Sequence, residues 1–324
     1  MTTIRNGLAG QGILVTGGAG FIGSHLVDRL LALDAREVVI IDNLFLGSED
    51  NISGALATGR ATFYRDDAEF ATSLEYIFTT HRIDTVFNCA TKALNYSFTN
   101  PANAFSTNVA VAINLLELQR RGHFGTLCHF STSEVYGTAV YEPMDEAHPK
   151  QPTTTYAAGK AAADLAVESY VRMFDLDAFI VRPFNNYGPR QNHKGALAGI
   201  IPITAMRILG GTPPEIHGDG TQSRDFIYVQ DTVDAVLKLY GVLSAGEAVN
   251  ISTDNQISVT DLVTRIATAM NYTGPIARGP ARPADVLCHN ASNQKVKSLI
   301  DYSLTPFEIG LRRTLDFYKQ LGGA

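Results

Sequence analysis

Three glycines at a fixed interval, Gly17, Gly20 and Gly23, narrow the folds open to this chain more than any other feature. They follow a short apolar run, Gly12-Ile13-Leu14-Val15-Thr16, which suits a parallel strand buried on both faces. After them Phe21, Ile22, Leu26, Val27, Leu30 and Leu31 recur at helical spacing. A glycine turn between a strand and a helix is the context a phosphate-binding turn requires. One glycine permits the tight turn, another lets the backbone reach a pyrophosphate, and the third lets helix and strand pack closely. A second strand, Glu37-Val38-Val39-Ile40-Ile41, runs into Asp42, 19 positions after Gly23. A carboxylate there can accept hydrogen bonds from both hydroxyls of an adenosine ribose and would repel a 2′-phosphate, which favours NAD over NADP.

The same alternation continues through the first half. Thr85 to Ala90, Gly125 to Ser131 and Ala178 to Arg182 read as buried strands, and Ala104 to Gln119 and Tyr156 to Met173 as helices. Such alternation predicts an α/β fold, a Rossmann-type doubly wound parallel sheet with helices on both faces. Beyond Pro183 prolines and glycines punctuate the chain and the strict alternation stops. The expected organisation is a dinucleotide-binding domain over residues 1–183 and a smaller mixed α/β substrate-binding domain over 184–324, with some later elements returning to the first. A length of 324 residues accommodates about two domains.

Charge narrows the partners. The formal net charge is −6 with no dense Lys/Arg cluster, so nucleic acid and anionic membrane surfaces are not expected. Cys89, Cys128 and Cys288 show no Cys-x-x-Cys spacing, and the eight histidines are scattered, so neither a disulfide framework nor a metal site is expected. The start lacks an apolar signal core and no run reaches membrane-spanning length, which leads to the expectation of a cytoplasmic protein.

Tyr156 and Lys160 stand one helical turn apart, on one helix face. An ammonium beside a phenol favours the phenolate and would pull the tyrosine pKa down from about 10. With the glycine turn, the pair joins a hydride carrier to a group that moves a proton.

Taken in order, the glycine turn, Asp42, Ser131-Thr132-Ser133-Glu134-Val135-Tyr136-Gly137, Tyr156-x-x-x-Lys160 and Arg182-Pro183-Phe184-Asn185-Asn186-Tyr187-Gly188-Pro189-Arg190 resemble an extended short-chain dehydrogenase/reductase. Gly218-Asp219-Gly220, Arg224-Asp225-Phe226 and Arg282-Pro283-x-Asp285 extend the resemblance to the nucleotide-sugar epimerase/dehydratase/decarboxylase group over nearly the whole chain. The resemblance implies that Tyr156, with Thr132 beside it, takes the proton from a sugar O4 while hydride passes from C4 to NAD, and that Lys160 holds the nicotinamide ribose. It implies a cofactor site of Gly17, Gly20, Phe21, Ile22, Gly23, Asp42, Asn43, Asp66, Asp67, Ala90, Asn108, Ser131, Tyr156, Lys160 and Pro183. It also implies a homodimer built through two helices per subunit, Ala104–Gln119 and Tyr156–Met173.

The 4-keto sugar is a branch point, and Glu134 is the informative residue there. A carboxylate two positions after Thr132 can act as the base at C5, which a dehydratase needs and a simple 4-epimerase does not. Thr-Ser-Glu resembles the GDP-mannose and GDP-N-acetylglucosamine 4,6-dehydratases and the UDP-glucuronate decarboxylases. Ser133 stands where dTDP-glucose dehydratases carry Asp. The expected activity is therefore an NDP-hexose 4,6-dehydratase in which Ser133 or a water assists departure of the C6 oxygen, with 4-epimerase and then decarboxylase as alternatives. A dinucleotide-binding protein without catalysis is a further alternative, against which Thr132, Tyr156 and Lys160 are all kept. For a nucleotide-diphosphate sugar the resemblance implies Lys92, Ser97, Asn185, Arg190, Arg224, Arg282 and Asp285, arginine supplying forked hydrogen bonds to phosphate. Lys92 reads either as a group meeting a substrate carboxylate or phosphate or as a solvated loop lysine.

Overall fold

The computed structural model describes residues 5–280 and 290–322. β1 (Gly12–Thr16) leads into α1 (Phe21–Ala32), β2 (Glu37–Ile41), α2 (Ser53–Ala57), β3 (Ala61–Tyr64), α3 (Ala71–Thr80) and β4 (Thr85–Asn88). Then come α4 (Pro101–Arg120), β5 (Thr126–Phe130), α5 (Thr155–Phe174) and β6 (Asp177–Pro183). The second half holds β7 (Asn185–Tyr187), α6 (Ile200–Leu209), β8 (Glu215–His217), β9 (Ser223–Tyr228), α7 (Val229–Tyr240) and β10 (Ala248–Ile251). It ends with β11 (Gln256–Ser258), α8 (Val259–Ala269), β12 (Ala277–Gly279), α9 (Gln294–Leu299) and α10 (Phe307–Gly322).

The large sheet has seven strands in the order β10-β6-β5-β4-β1-β2-β3, and every neighbouring pair is parallel. Both faces are covered, as a parallel sheet requires. Val38 and Ile40 of β2 pack with α1 and α7 through Leu26, Leu30, Val233 and Val236. The alternate residues Val39 and Ile41 pack with α3, α4 and α5 through Leu74, Ile77, Val111, Leu115 and Val167. Each such fully buried side chain contributes roughly 1.5–3 kcal/mol, so the sheet is the rigid frame of the molecule. Strand order reverses between β1 and β4, and ligands of open α/β sheets bind in the crevice at that switch point.

Two helix starts matter for the site. Asn100 caps α4 by accepting from the Asn103 amide, with Pro101 in the first turn. Thr154 caps α5 by accepting from the Ala157 amide. α4 and α5 pack closely because Gly159 has no side chain: a Cβ there would lie 2.7 Å from the Phe105 carbonyl oxygen. Both helices extend slightly past the apolar periodicity, because the caps rather than the apolar residues set their ends.

After Pro183 the chain leaves the large sheet for a small one, in which β9 pairs in parallel with β7 and antiparallel with β11. β8 and β12 form a separate parallel pair. Tyr187, Ile201, Phe226, Leu262, Ile266, Leu311 and Leu315 make the core of this part, drawn from β7, β9, α6, α8 and α10. Three elements of the second half, α7, β10 and α9, belong to the large-sheet layer instead, α9 through Val296.

Candidate active site

A cavity of about 590 Å³ opens at the switch point, between the ends of the large-sheet strands and the small second layer. Its first wall is the glycine turn. Gly17 has φ +67°, and a Cβ on it would come within 2.8 Å of Ala90 N and Cα in the loop after β4. A Cβ on Gly23 would collide with the Gly17 carbonyl oxygen, so the helix can sit against the turn only as glycine. Gly20 opens α1 with no side-chain cap, leaving the first-turn amides of Phe21, Ile22 and Gly23 as donors at the positive end of the helix dipole. All five of Gly17, Gly20, Phe21, Ile22 and Gly23 line the cavity.

Asp42 stands at the end of β2 and is locked in place. Its Oδ2 accepts from Ala19 N at 3.0 Å and its Oδ1 from Leu44 N at 2.8 Å. Burial raises its pKa, and the backbone donors from Leu44, Ala19 and Gly20 oppose that shift. Asn43 donates to Asp67 at 2.6 Å, and Asn43, Asp66 and Asp67 all line the same end. Backbone donors beside a fixed carboxylate are what a pyrophosphate and a ribose diol require, so the residues present fit a dinucleotide.

Opposite lies the reactive end. Thr132, Ser133 and Glu134 follow β5 in a short 3-10 turn, in which Thr132 Oγ1 accepts from Glu134 N at 3.2 Å. The Thr132 and Thr91 hydroxyls act on the Tyr156 hydroxyl and favour its ionised form, and Thr132, Ser133, Glu134, Tyr156 and Lys160 all line the cavity. Two contacts fix Tyr156 through its backbone. Its amide donates to Ser97 Oγ at 2.9 Å, and its carbonyl accepts from Asn108 Nδ2 at 3.5 Å. Asn108 also accepts from Thr91 Oγ1 and Lys92 N, so it ties the loop after β4 to the start of α5 rather than entering the cavity.

The expected pull of Lys160 on the phenol is not met by the protein groups. Burial dominates and pushes Tyr156 up to about 12, opposed by the Thr132 and Thr91 hydrogen bonds and reinforced by the Glu134 charge. The reason is where the ammonium goes: Lys160 Nζ donates to the Phe130 carbonyl at 2.9 Å. Burial lowers Lys160 to about 8, and Asp164, one turn further along α5, opposes that shift. Asp164 is itself buried and paired with Arg182 at 2.9 Å. Arg182 donates to Tyr136 Oη, which donates to Asn250, so a buried polar chain extends from the carboxylate beside the lysine.

The remaining assignments divide. Ala90, Ser131, Pro183, Lys92, Asn185 and Arg224 all line the cavity. Ser131 Oγ and Asn185 Nδ2 are buried without a protein partner among the described residues, as atoms meant for a ligand would be. Lys92 is only 8 % exposed, and its ammonium lies 4.4 Å over the Phe45 ring with no carboxylate in ion-pair reach among the described residues. This buried setting corrects the solvated-loop reading. Two assignments do not reach the cavity. Ser97 is spent on the α5 amide, and Arg190, at φ +67°, turns to Asp28 of α1 at 2.8 Å. Arg282 and Asp285 lie outside the described residues. Cavity residues that motif reading passed over include Phe45, Thr91, Arg207, Glu215 and His217. Glu215 and His217 directly precede the Gly218-Asp219-Gly220 motif and were legible from it; Arg207 carried no local signal.

Residues 13–252 match the model of the NAD dependent epimerase/dehydratase family. The UDP-glucose 4-epimerase of Mycolicibacterium smegmatis is 32% identical, over 94% of this chain and 98% of that one. UDP-glucuronic acid decarboxylase 5 of Arabidopsis thaliana is 30% identical, over 90% and 84% respectively. Among solved structures, DesIV, a dTDP-glucose 4,6-dehydratase from Streptomyces venezuelae determined with NAD bound, superposes with a TM-score of 0.90 at 28% identity, over 96% of this chain and 98% of that one. With a glycine cradle, a fixed Asp42 and a Thr132–Tyr156–Lys160 end in one cleft, the chain belongs to the NAD-dependent epimerase/dehydratase family.

Proposed function

We propose that this protein is a nucleotide-sugar 4,6-dehydratase that works through a 4-keto intermediate. The observation that carries this reading is Glu134, a carboxylate in the cavity wall close enough to Tyr156 for its charge to raise the phenol's pKa. Gly17, the first turn of α1 and Asp42 would hold NAD, which when bound supplies a hydride acceptor and later a donor. Tyr156 Oη, as the phenolate that the cationic nicotinamide of bound NAD would favour, takes the proton of the sugar O4 hydroxyl, steadied by the Thr132 and Thr91 hydroxyls. Once C4 is a ketone the C5–H is acidic, and Glu134 removes that proton. The C6 hydroxyl then leaves as water with a proton delivered through Ser133 or an ordered water, leaving a C5=C6 double bond. Return of the hydride to C6, with a proton from Glu134 to C5, would complete a 4-keto-6-deoxy sugar. Lys160 positions the nicotinamide ribose, and Asn185, Arg224 and Lys92 bind the sugar diphosphate.

Mass spectrometry of products from a panel of nucleotide sugars tests this: a dehydratase product is lighter by one water, a decarboxylase product by carbon dioxide, and an epimerase product is unchanged. Glu134→Gln is expected to lower turnover about 10²–10³-fold. Intact turnover in that variant would move 4-epimerisation, the activity of the Mycolicibacterium relative, to first place.

A homodimer is part of the proposal. Phe105 on α4 and Leu165, Met173 and Phe174 on α5 are exposed apolar side chains, and a second copy would cover them. Analytical ultracentrifugation showing only monomer at micromolar concentration would remove it. Among the described residues no helix is long and apolar enough to cross a membrane.

A further inference from the structure

Away from the reactive end, the cavity wall carries an ion pair that the proposed chemistry does not use. Arg207, in the last turn of α6, and Glu215, in β8, are joined across the turn between them, with Arg207 Nη1 3.0 Å from Glu215 Oε2. The pair is oriented by its surroundings. Arg207 Nε donates to the Pro213 carbonyl at 2.8 Å, which fixes the guanidinium plane. Gly279 of β12 packs directly on Glu215 Oε1 and the His217 ring, where any Cβ would displace the carboxylate. Both side chains remain about one-third to one-quarter exposed, at 32% and 26%, and both line the cavity, as His217, Gln222 and Arg224 do.

Such a pair is a reader of polar edges. Two of the five guanidinium N–H groups are engaged, by Pro213 and Glu215, and the rest are available to an acceptor. Each carboxylate oxygen still has a lone pair for a donor. The ligand edge that satisfies both groups at once is a carbonyl next to an N–H, the lactam edge of a nucleobase. Uracil, thymine and guanine carry that edge. Cytosine carries an unprotonated ring nitrogen there, whose lone pair would face the carboxylate, and adenine carries neither the carbonyl nor the ring N–H.

Resting on the reading of this cleft as a nucleotide-sugar site, we propose that Arg207 and Glu215 select the base: Arg207 donates to the lactam carbonyl, Glu215 accepts from the lactam N–H, and cytidine and adenosine diphosphates are rejected. The effect belongs to specificity, because a site built to hydrogen-bond an N–H leaves its acceptor unsatisfied when that group is missing.

The test is calorimetric titration of the NAD-saturated protein with UDP, dTDP, GDP, CDP and ADP. The wild type is expected to bind UDP at least about tenfold more tightly than CDP, the discrimination usual for a paired base contact. In Glu215→Gln the side-chain amide can both donate to the cytosine ring nitrogen and accept from its amino group. CDP should therefore gain affinity until the UDP:CDP ratio falls within about threefold. A gain for CDP with unchanged NAD content cannot come from a damaged fold. Equal wild-type affinities for UDP and CDP would overturn the proposal, as would a ratio that Glu215→Gln leaves unchanged; neither result touches the dehydratase reading. Retention of NAD with no binding of any of the five diphosphates would overturn both.

Discussion

On the β1–β2 side of the cleft a ligand meets backbone, whereas on the α6–β9 side it meets side chains. The first side consists of amides in the opening turn of α1, glycines that admit no Cβ, and one carboxylate held by two backbone donors. The second offers Asn185, Arg207, Glu215, His217 and Arg224, projected from the four elements β7, α6, β8 and β9. A backbone site is rigid and tolerates change only where a side chain points away. A side-chain site can be rewritten one residue at a time without disturbing the sheet beneath. That difference gives one fold room for different chemistries, and relatives about 30% identical to this chain bear the names of an epimerase, a decarboxylase and a dehydratase.

The contrast can be broken at its strongest point first. Tyr156→Phe removes the hydroxyl proposed as acid–base while leaving the ring in place, and turnover should fall at least about 10³-fold with NAD content unchanged in the purified protein. Residual activity near wild type would show that another group moves the proton. On the backbone wall, Gly17→Ala forces an L-residue to positive φ against the Ala90 backbone. A loss of ~2–4 kcal/mol of stability in urea melts and of most bound NAD is expected. If the variant keeps its NAD, the wall is more pliant than the geometry implies.

A smaller effect concerns the buried lysine. Lys160 has its folded pKa lowered to about 8, below its unfolded value near 10.5, so between those values the unfolded chain binds more protons. Stability from this group therefore rises with pH across that window. The melting temperature of wild type relative to Lys160→Met should climb from pH ~8 to ~10, and a flat or falling difference would contradict the burial assigned to the ammonium. The smallest effect is expected at Arg190, which is held by Asp28 outside the cavity. Arg190→Ala should change KM less than about threefold, the margin appropriate to a partly exposed ion pair. A tenfold rise in KM would return it to the substrate wall.

Local spacing made the cofactor half legible. The 17–20–23 glycine interval, Asp42 after β2, and the i, i+4 pair on α5 are all set by contacts within one strand–turn–helix unit, so periodicity exposes them. Reading failed where a side chain had a choice of partner. Ser97 and Arg190 have the right chemistry for a substrate but are drawn off by an orphan helix amide and by a carboxylate on α1. Lys92 was undecided as a residue type and is resolved only by the ring of Phe45, 47 positions earlier in the chain.

By itself the amino-acid order determined the doubly wound sheet, the position of the glycine cradle and the placing of Tyr156 and Lys160 one turn apart on α5, because each follows from the backbone geometry of a few neighbouring residues. The tertiary structure alone decided how those groups are charged and which side chains face a ligand. Burial outweighs the Thr132 and Thr91 hydroxyls at the Tyr156 phenol, and the Arg207–Glu215 pair reaches the cavity because α6, β8 and β12 converge there. Desolvation and the meeting of distant side chains depend on the whole packed molecule, and no spacing along the chain encodes them.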